Sequence, residues 1–506
     1  MSRAPIAWVV AAAGAAVYLL LDPPSADLAA QEYRAGLVEH AGLGIWDNGW
    51  FAGHHTPAYS VLFPALGALL GVQLAGALAA VASAGLFAHL ARRHWAPNAA
   101  TAAAIWFALG CVAMLLTGRM TFLLGVAIAL GALLALSAGR YLSAIALAAL
   151  TAAASPVAAL FLGLAAVAVA ATTRNRRRSA ALVAAAALGP AVALAALFPE
   201  GGSEPFVASA FWPALAAIAL VAVLLPARER ALRAGAALYA VATVAAFALS
   251  TPLGGNVTRL GALVAGPVIL GTLAGRRRPA LLLAVALPLA YWALYPPIRD
   301  VVRASGDPST SAAYHAPLIR FLEGRPGVFR VEIPYTENHW EAAHVAPRIP
   351  LARGWQRQLD RRYGALFYDA GLTPGSYRAW LDDHAVAYVA VPDVALDDAG
   401  RDEVRLVARG LPYLRPVWRD EHWRVFAVRH PARLARDPIA LTADGFALRA
   451  RRTGTALVRI RHTRWWRVTG GHACVQRGPR GMTRVRVTAP GVVRIQARLD
   501  GDRCRR

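Results

Sequence analysis

Residues 22–57 hold most of the chemistry in the first half of the chain. The first 297 residues contain eight acidic side chains, and five lie in this stretch: Asp22, Asp27, Glu32, Glu39 and Asp47. His40, His54, His55, Trp46 and Trp50 stand among them. On either side the sequence is mostly Ala, Leu, Val and Gly, with almost nothing that takes or gives a proton. Carboxylates beside a bilayer are costly unless solvated or paired. A stretch that collects them reads first as a functional site and second as a wet connection. Asp27 follows Pro23-Pro24-Ser25 and opens an amphipathic run, where an acid is either a reacting base or a favourable first-turn residue. Glu32, Asp47, His54 and His55 have, with Asp27, the ligand chemistry of a divalent metal site. The alternative is that they are solvated or hydrogen-bonded loop residues. Arg34, Arg119 and Arg259 carry the planar donor fork that grips phosphate; the alternative is snorkelling to the interface.

The elements that position these residues are membrane helices. The chain is 57% hydrophobic with a mean hydropathy of +0.43, too apolar for a soluble protein of 506 residues. A spanning helix needs about 17–25 apolar residues. Eleven runs qualify or come near: 4–21, 74–91, 98–117, 121–138, 141–154, 156–172, 179–198, 206–225, 231–250, 259–274 and 280–296. Alternate junctions carry fourteen arginines: Arg3, Arg92, Arg93, Arg140, Arg174, Arg176, Arg177, Arg178, Arg228, Arg230, Arg233, Arg276, Arg277 and Arg278. The opposite junctions carry three: Arg34, Arg119 and Arg259. That bias predicts a cytoplasmic N-terminus, with residues 22–57 and everything after 297 facing outward. The first run is long for the apolar core of a signal peptide, which favours an uncleaved anchor. Residues 58–73, interrupted by Pro64 and two glycines, read as a juxtamembrane or re-entrant helix.

After Pro296-Pro297 the pattern changes. Residues 298–431 mix short helices with strands, among them VFRVEIPY, VAYVAVPD and the hairpin RPVWRD–EHWRVFAV, and predict a small α/β domain. Residues 432–506 alternate (ALVRIRHT, WWRVTG, TRVRVTAP, VVRIQARL) and predict a β-sandwich. The expected domains are therefore a transmembrane part at 1–297, an α/β part at 298–431 and a sandwich at 432–506. The segment 337–360, with Glu337, His339, Trp340, Arg353, Trp355 and Asp360, either binds a glycan, covers a site or packs one part on another. Cys474 and Cys504 lie in the part expected on the oxidising side and predict a disulfide. The net charge of +24 is sorted by membrane topology, without a basic recognition helix or nucleic-acid motif. Nucleic acid is not expected as a partner.

This order of features resembles the GT-C superfamily of membrane glycosyltransferases. The residues that carry the likeness are one anchoring helix, an outward stretch with the early acid Asp27, a glycine-rich turn with an aromatic (Gly42-Leu43-Gly44-Ile45-Trp46), and a re-entry through Tyr59, Phe63 and Pro64. The resemblance covers about three fifths of the chain. It implies transfer of a sugar from a polyprenyl-phosphate donor to a cell-envelope glycan or glycolipid outside the cytoplasmic membrane. Asp27 then serves as the general base, and cations hold the leaving phosphate. Glu32, Arg34, Asp47, His54, His55, Arg119 and Arg259 become candidates for substrate binding, as do Trp46, Trp50 and Tyr59 by stacking on sugar rings or by anchoring at the interface. The paired acids common in the family are absent at Asp27-Leu28; no cofactor is certain, and a divalent metal is the one option. A second class, a non-catalytic protein of envelope polysaccharide assembly or export, fits the same architecture. An ion-coupled transporter fits poorly, because almost no ionisable residue falls at a helix midpoint.

Overall fold

Long runs of Ala, Leu, Val and Gly without interior charge can satisfy their backbone groups inside a membrane only as helices. The computed structural model describes residues 6–273, 279–369 and 371–501. All eleven predicted runs are helical. They are α1 (Ile6–Leu21), α4 (Val72–His94), α5 (Pro97–Leu116), α6 (Met120–Ser137), α7 (Tyr141–Ala154), α8 (Pro156–Thr172), α9 (Arg177–Leu197), α10 (Ala208–Leu224), α11 (Arg230–Ala248), α12 (Thr258–Leu273) and α13 (Pro279–Ala304). Between α1 and α4 come α2 (Ala26–Ala41) and the short α3 (Phe63–Leu70). Among the described residues, seven helices are long and apolar enough to cross a membrane: α4, α5, α6, α9, α11, α12 and α13. The other four of the eleven are shorter, at 14 to 17 residues. At about 1.5 Å per residue they fall short of a hydrocarbon core of about 30 Å if they run straight. Arg3, Arg276, Arg277 and Arg278, four of the fourteen arginines of the charge bias, lie outside the described residues.

The chain gathers into two units, one of residues 1–31 and 58–305, the other of 32–57 and 306–506. In the first unit α1 packs on α4 and α5, and α5 also packs on α6, α12 and α13. Small residues let these helices approach closely; Trp8 of α1 lies where a Cβ on Gly85 of α4 would have to be. The chain turns by 79° between α1 and α2, at Asp22, Pro23 and Pro24. Residues 58–62 dock on the end of α7: Ser60 Oγ donates to Ala154 O at 2.8 Å, and the amides of Val61 and Leu62 donate to Ala153 O. Arg93, in the last turn of α4, and Arg176, before α9, both donate to Ser137 at the end of α6.

The Pro296-Pro297 pair does not end the last helix. The last helix runs through Pro288, Pro296 and Pro297 to Ala304, so the first unit extends to residue 305. A proline inside a helix removes one donor and introduces a kink, and neighbouring packing can absorb both.

The second unit contains a mixed sheet and a sandwich. The strands of the mixed sheet are β1 (Arg330–Glu332), β2 (Val386–Pro392), β3 (Leu414–Arg419) and β4 (Trp423–Val428), in the order β1-β2-β4-β3 with only β1 and β2 parallel. Around them stand α14 (Ala312–Glu323), α15 (Glu341–His344), α16 (Arg357–Tyr363), α17 (Pro374–Asp383) and α18 (Asp398–Ala408). The sandwich holds β5 (Ile439–Thr442), β6 (Gly445–Ala450), β7 (Gly454–Arg461), β8 (Trp466–Gly470), β9 (Ala473–Arg477), β10 (Met482–Val487) and β11 (Gly491–Ala497). Its sheets are β7-β10-β9 and β5-β6-β11-β8, both antiparallel. The mixed sheet and the sandwich are joined within one unit: Arg330, fully buried, donates to His384 O at 2.9 Å and to Arg459 O at 2.8 Å. Cys474 stands on β9, and its expected partner Cys504 lies outside the described residues.

The dense segment 337–360 is interior. Arg353 is buried and holds Asp360 through two bonds of 2.8 and 2.5 Å, with Glu403 at 3.4 Å and Glu332 at 3.8 Å. Its guanidinium lies over Tyr335 and Phe367. His339 stacks on Trp355 at 3.4 Å. Three buried carboxyls around one buried arginine cannot all be ionised cheaply. Burial, and then Glu403, hold the Glu332 carboxyl well above the usual range, and burial raises Glu403 to about 7.

An acid whose folded pKa is raised contributes stability that is fully present below its unfolded value and is lost as pH rises through the folded one. Several buried histidines in the same unit, such as His315, drawn down to about 4 chiefly by burial, act in the opposite direction. The clean readout is therefore a difference. Glu403→Gln, which mimics the protonated acid, should gain thermal stability relative to the parent as pH rises from 5 to 8. Parallel pH profiles of the two proteins would contradict a raised Glu403 carboxyl.

Candidate functional site

Three helix N-termini bring the first unit's candidates together. Asp27 is the second residue of α2, Arg119 precedes α6 and Arg259 is the second residue of α12. Arg119 Nε lies 3.8 Å from Asp27 Oδ2, and Arg259 Nη2 lies 3.9 Å from the same oxygen. These separations are ion pairs but longer than hydrogen bonds. The Nε of each arginine is buried and makes no hydrogen bond, and the same holds for Ser25 Oγ and Gln31 Oε1. The side chain of Arg119 is 26% exposed, that of Arg259 15% and that of Asp27 35%. Both guanidiniums are thus largely withdrawn from water, unlike a snorkelling arginine. Burial, and then the neighbouring Arg259, draw Arg119 down to about 10, while Asp27, Asp300 and Tyr59 oppose the shift. Two cations therefore share one close carboxylate at the positive ends of three helix dipoles, a field that favours an additional anion.

The turn before α6 is built for this approach. Gly118 has φ +70°, and a Cβ there would lie 2.4 Å from Leu28 N and 2.7 Å from Ser25 Oγ. Only glycine lets the 117–119 turn rest on the first turn of α2 and set Arg119 against Asp27. Tyr59 stands beside them and accepts a hydrogen bond from Gln31 Nε2 at 3.0 Å. Arg259 lies over the Phe122 ring at 5.8 Å. Sequence reasoning missed Ser25, Gln31, Gly118 and Asp300. The TGR turn was the available signal for Gly118. Asp300 was hidden by reading a helix end at Pro297.

The remaining candidates belong to the second unit and are occupied there. Asp47 is buried and accepts from Tyr33 Oη, at 2.9 and 3.0 Å, and from Gly49 N at 2.8 Å. Burial raises its carboxyl to about 6. His54 Nδ1 lies 3.5 Å from Asp47 Oδ2, and an isolated bridge pairs the two backbones. His55 Nε2 is bonded to Thr463 Oγ1 at 2.8 Å. Arg34 donates to Gln356 Oε1 at 2.9 Å and lies over Trp50. Glu32 is half-buried on α2. Residues 50–53 make a tight loop with positive φ at Phe51, Ala52 and Gly53, held by Arg461, whose Nε donates to Phe51 O and whose amide donates to Ala52 O.

The reading of Trp46 and Trp50 as sugar platforms is therefore corrected. Trp46 lies in the sandwich core, edge-on to Trp466, and donates to Asn48 Oδ1. Trp50 is fully buried, stacked between Tyr33 and His54, with its ring filling the space beside Gly354. Neither ring leaves a face free. Asp47, His54 and His55 have local partners, and among the described residues no group of three or more His, Cys, Asp or Glu is gathered to hold a metal ion. The single constellation expected from the sequence divides: Asp27, Tyr59, Arg119 and Arg259 stand together in one unit, while Glu32, Arg34, Trp46, Asp47, Trp50, His54 and His55 are in the other.

No protein-family model matches the chain, and no curated protein matches it in sequence. Among solved structures it is similar to an Archaeoglobus fulgidus oligosaccharyltransferase in its apo form, at 13% identity and TM-score 0.48, covering 77% of this chain and 69% of that one. It is similar to ArnT from Cupriavidus metallidurans, also apo, at 16% identity and TM-score 0.37, covering 80% and 93%. It is also similar to the A. fulgidus oligosaccharyltransferase AglB in complex with an inhibitory peptide and a dolichol-phosphate, at 14% identity and TM-score 0.35, covering 76% and 69%. At such identities and TM-scores no residue's role carries over.

A buried Trp50 should behave as core. Trp50→Ala should lower stability by about 3–5 kcal/mol, the usual cost of emptying a large aromatic site. A sugar platform would lose ligand binding with an unchanged melting midpoint. Thermal unfolding of the variant distinguishes the two.

Proposed function

We propose that this chain is a GT-C-type glycosyltransferase of the cytoplasmic membrane. It moves a sugar from a polyprenyl-phosphate donor to a cell-envelope acceptor on the outer face. The observation that carries the reading is Asp27 facing two largely buried arginines whose Nε donors are unfilled. In this reading the donor's phosphate lies between Arg119 and Arg259. Guanidinium forks match phosphate oxygens in pairs, and a withdrawn site strengthens each bond. The Asp27 carboxylate takes the proton of the acceptor hydroxyl as its oxygen attacks the anomeric carbon. The bond from that carbon to the phosphate oxygen breaks, and its electrons leave with the lipid phosphate. The two arginines stabilise the charge that collects there. Ser25 Oγ and Gln31 Oε1, buried near the start of the same helix, are candidates to position the acceptor or the sugar. Arg34 and the His54–His55 pair have no direct part in this chemistry.

The orientation follows from the arginine bias: the junctions carrying Asp27, Arg119 and Arg259 face outward, and so does the chain after residue 305. A reporter fused at residue 306 should be active outside and one at Arg176 inside. An inside signal at 306 would remove the outward site.

Asp27→Asn keeps the size of the side chain and removes its basicity. In a deletion strain whose glycolipid or wall-glycan composition has changed, the parent gene should restore the missing sugar. Asp27→Asn should reduce transfer at least about 100-fold with unchanged expression. Full restoration by Asp27→Asn would remove the base assignment. An unaltered glycan composition in the deletion strain would favour a non-catalytic role.

A further inference from the structure

We infer that the exposed face of the three-stranded sheet β7-β10-β9 is a docking surface for an anionic polysaccharide. Residues 432–506 carry eighteen arginines and four acids. The central strand β10 alternates core and surface: Thr483, Val485 and Val487 are buried, while Arg484 and Arg486 are exposed. Residues two apart on a strand point the same way, about 7 Å from each other. Arg484 stands between Gln476 of β9 and Leu457 of β7, and Arg486 between Cys474 and Thr455. Gln476 and Thr455 are exposed and offer an amide and a hydroxyl beside the two guanidiniums. Arg451 and Arg452, both exposed, stand at the turn into β7 at one end of this row.

Among the described residues these arginines have no acid to answer them. Other basic residues of the sandwich are engaged: Arg467 with Asp500, Arg480 with Asp383, and Arg459 with Arg433 O. Arg451, Arg452, Arg484 and Arg486 pair with no acid among the described residues, and none of Asp437, Asp444 and Asp500 stands on β7, β9 or β10. Keeping like charges in a row costs stability that only a counter-charge returns. The occupant is therefore an anion of extended form. Regularly spaced charges beside hydrogen-bonding side chains suit a polymer carrying both acid groups and hydroxyls. A bilayer surface suits the face less well. Membrane-binding faces add large apolar residues that enter the interface, and the large exposed apolar residues of residues 432–501 are Val492 and Leu499, neither on this sheet. The outward location of the face rests on the orientation proposed above, whereas the binding does not depend on sugar transfer.

The test uses the full-length protein in phosphatidylcholine nanodiscs, with alginate as the polyuronate probe and dextran as its neutral counterpart. Alginate should bind, in a manner weakened by salt, and dextran should not. Arg484→Gln with Arg486→Gln should weaken alginate binding at least about 10-fold, which is about 1.4 kcal/mol, with an unchanged melting midpoint. Arg449→Gln with Arg494→Gln, two exposed arginines of the other sheet, should leave binding as it was. Equal loss in both double variants would reduce the effect to general basicity and overturn the proposal. So would full binding by Arg484→Gln/Arg486→Gln, or binding to phosphatidylglycerol vesicles with none to alginate.

Discussion

Two guanidiniums held against one carboxylate, largely out of water, set the terms for the membrane unit. Each arginine is costly to withdraw unless its charge is answered. Asp27 answers the pair only partly, since both contacts are longer than hydrogen bonds. The pair is brought together by positions with little freedom: the left-handed glycine at 118, the proline-broken turn before α2 and the start of α12. The helices behind these positions are plain in composition. Their role is to bring three N-terminal turns to one end of the bundle, where the helix dipoles add to the arginines.

The second unit solves a different problem, the holding of charge wholly or largely out of solvent. Arg353 gathers Asp360, Glu332 and Glu403, while Arg357 pairs with Asp397 at 2.9 and 2.6 Å. Arg330 joins the mixed sheet to the sandwich through two carbonyls. The stretch 42–57 belongs to this framework. Asn48 donates to Thr442 O and Gly445 O, Leu351 N donates to Gly49 O, and Trp46 completes the sandwich core. Its one acid, Asp47, and its histidines, His54 and His55, each have a partner in their own unit.

The sequence made some of this legible for identifiable reasons. Hydrophobic runs located every apolar helix, because helices are the one open-ended way to bury a backbone in lipid. Alternation located β7, β8, β10 and β11, because each buries one face. The scarcity of arginine at alternate junctions singled out Arg119 and Arg259, and the early acid singled out Asp27. Other features were hidden. Clustering in sequence suggested one site for residues 22–57, but tertiary pairing divides them at residue 31, and no local pattern announces that division. Trp46 and Trp50 have the composition of a binding surface, and only long-range packing shows them to be core. Pro296-Pro297 looked like a boundary because proline usually ends helices; here α13 continues through both.

The central claim is that Arg119 and Arg259 form a phosphate grip with Asp27 as its reacting neighbour. Binding of a short-chain prenyl phosphate to the purified protein tests it most directly, because it separates holding the phosphate from moving a proton. Asp27→Asn should bind at least as tightly as the parent, since it removes a negative charge beside the anion. Arg119→Gln with Arg259→Gln should bind at least about 10-fold more weakly, given about 1.5–3 kcal/mol for each charged hydrogen bond lost. Parent-like affinity in the double arginine variant would contradict the account.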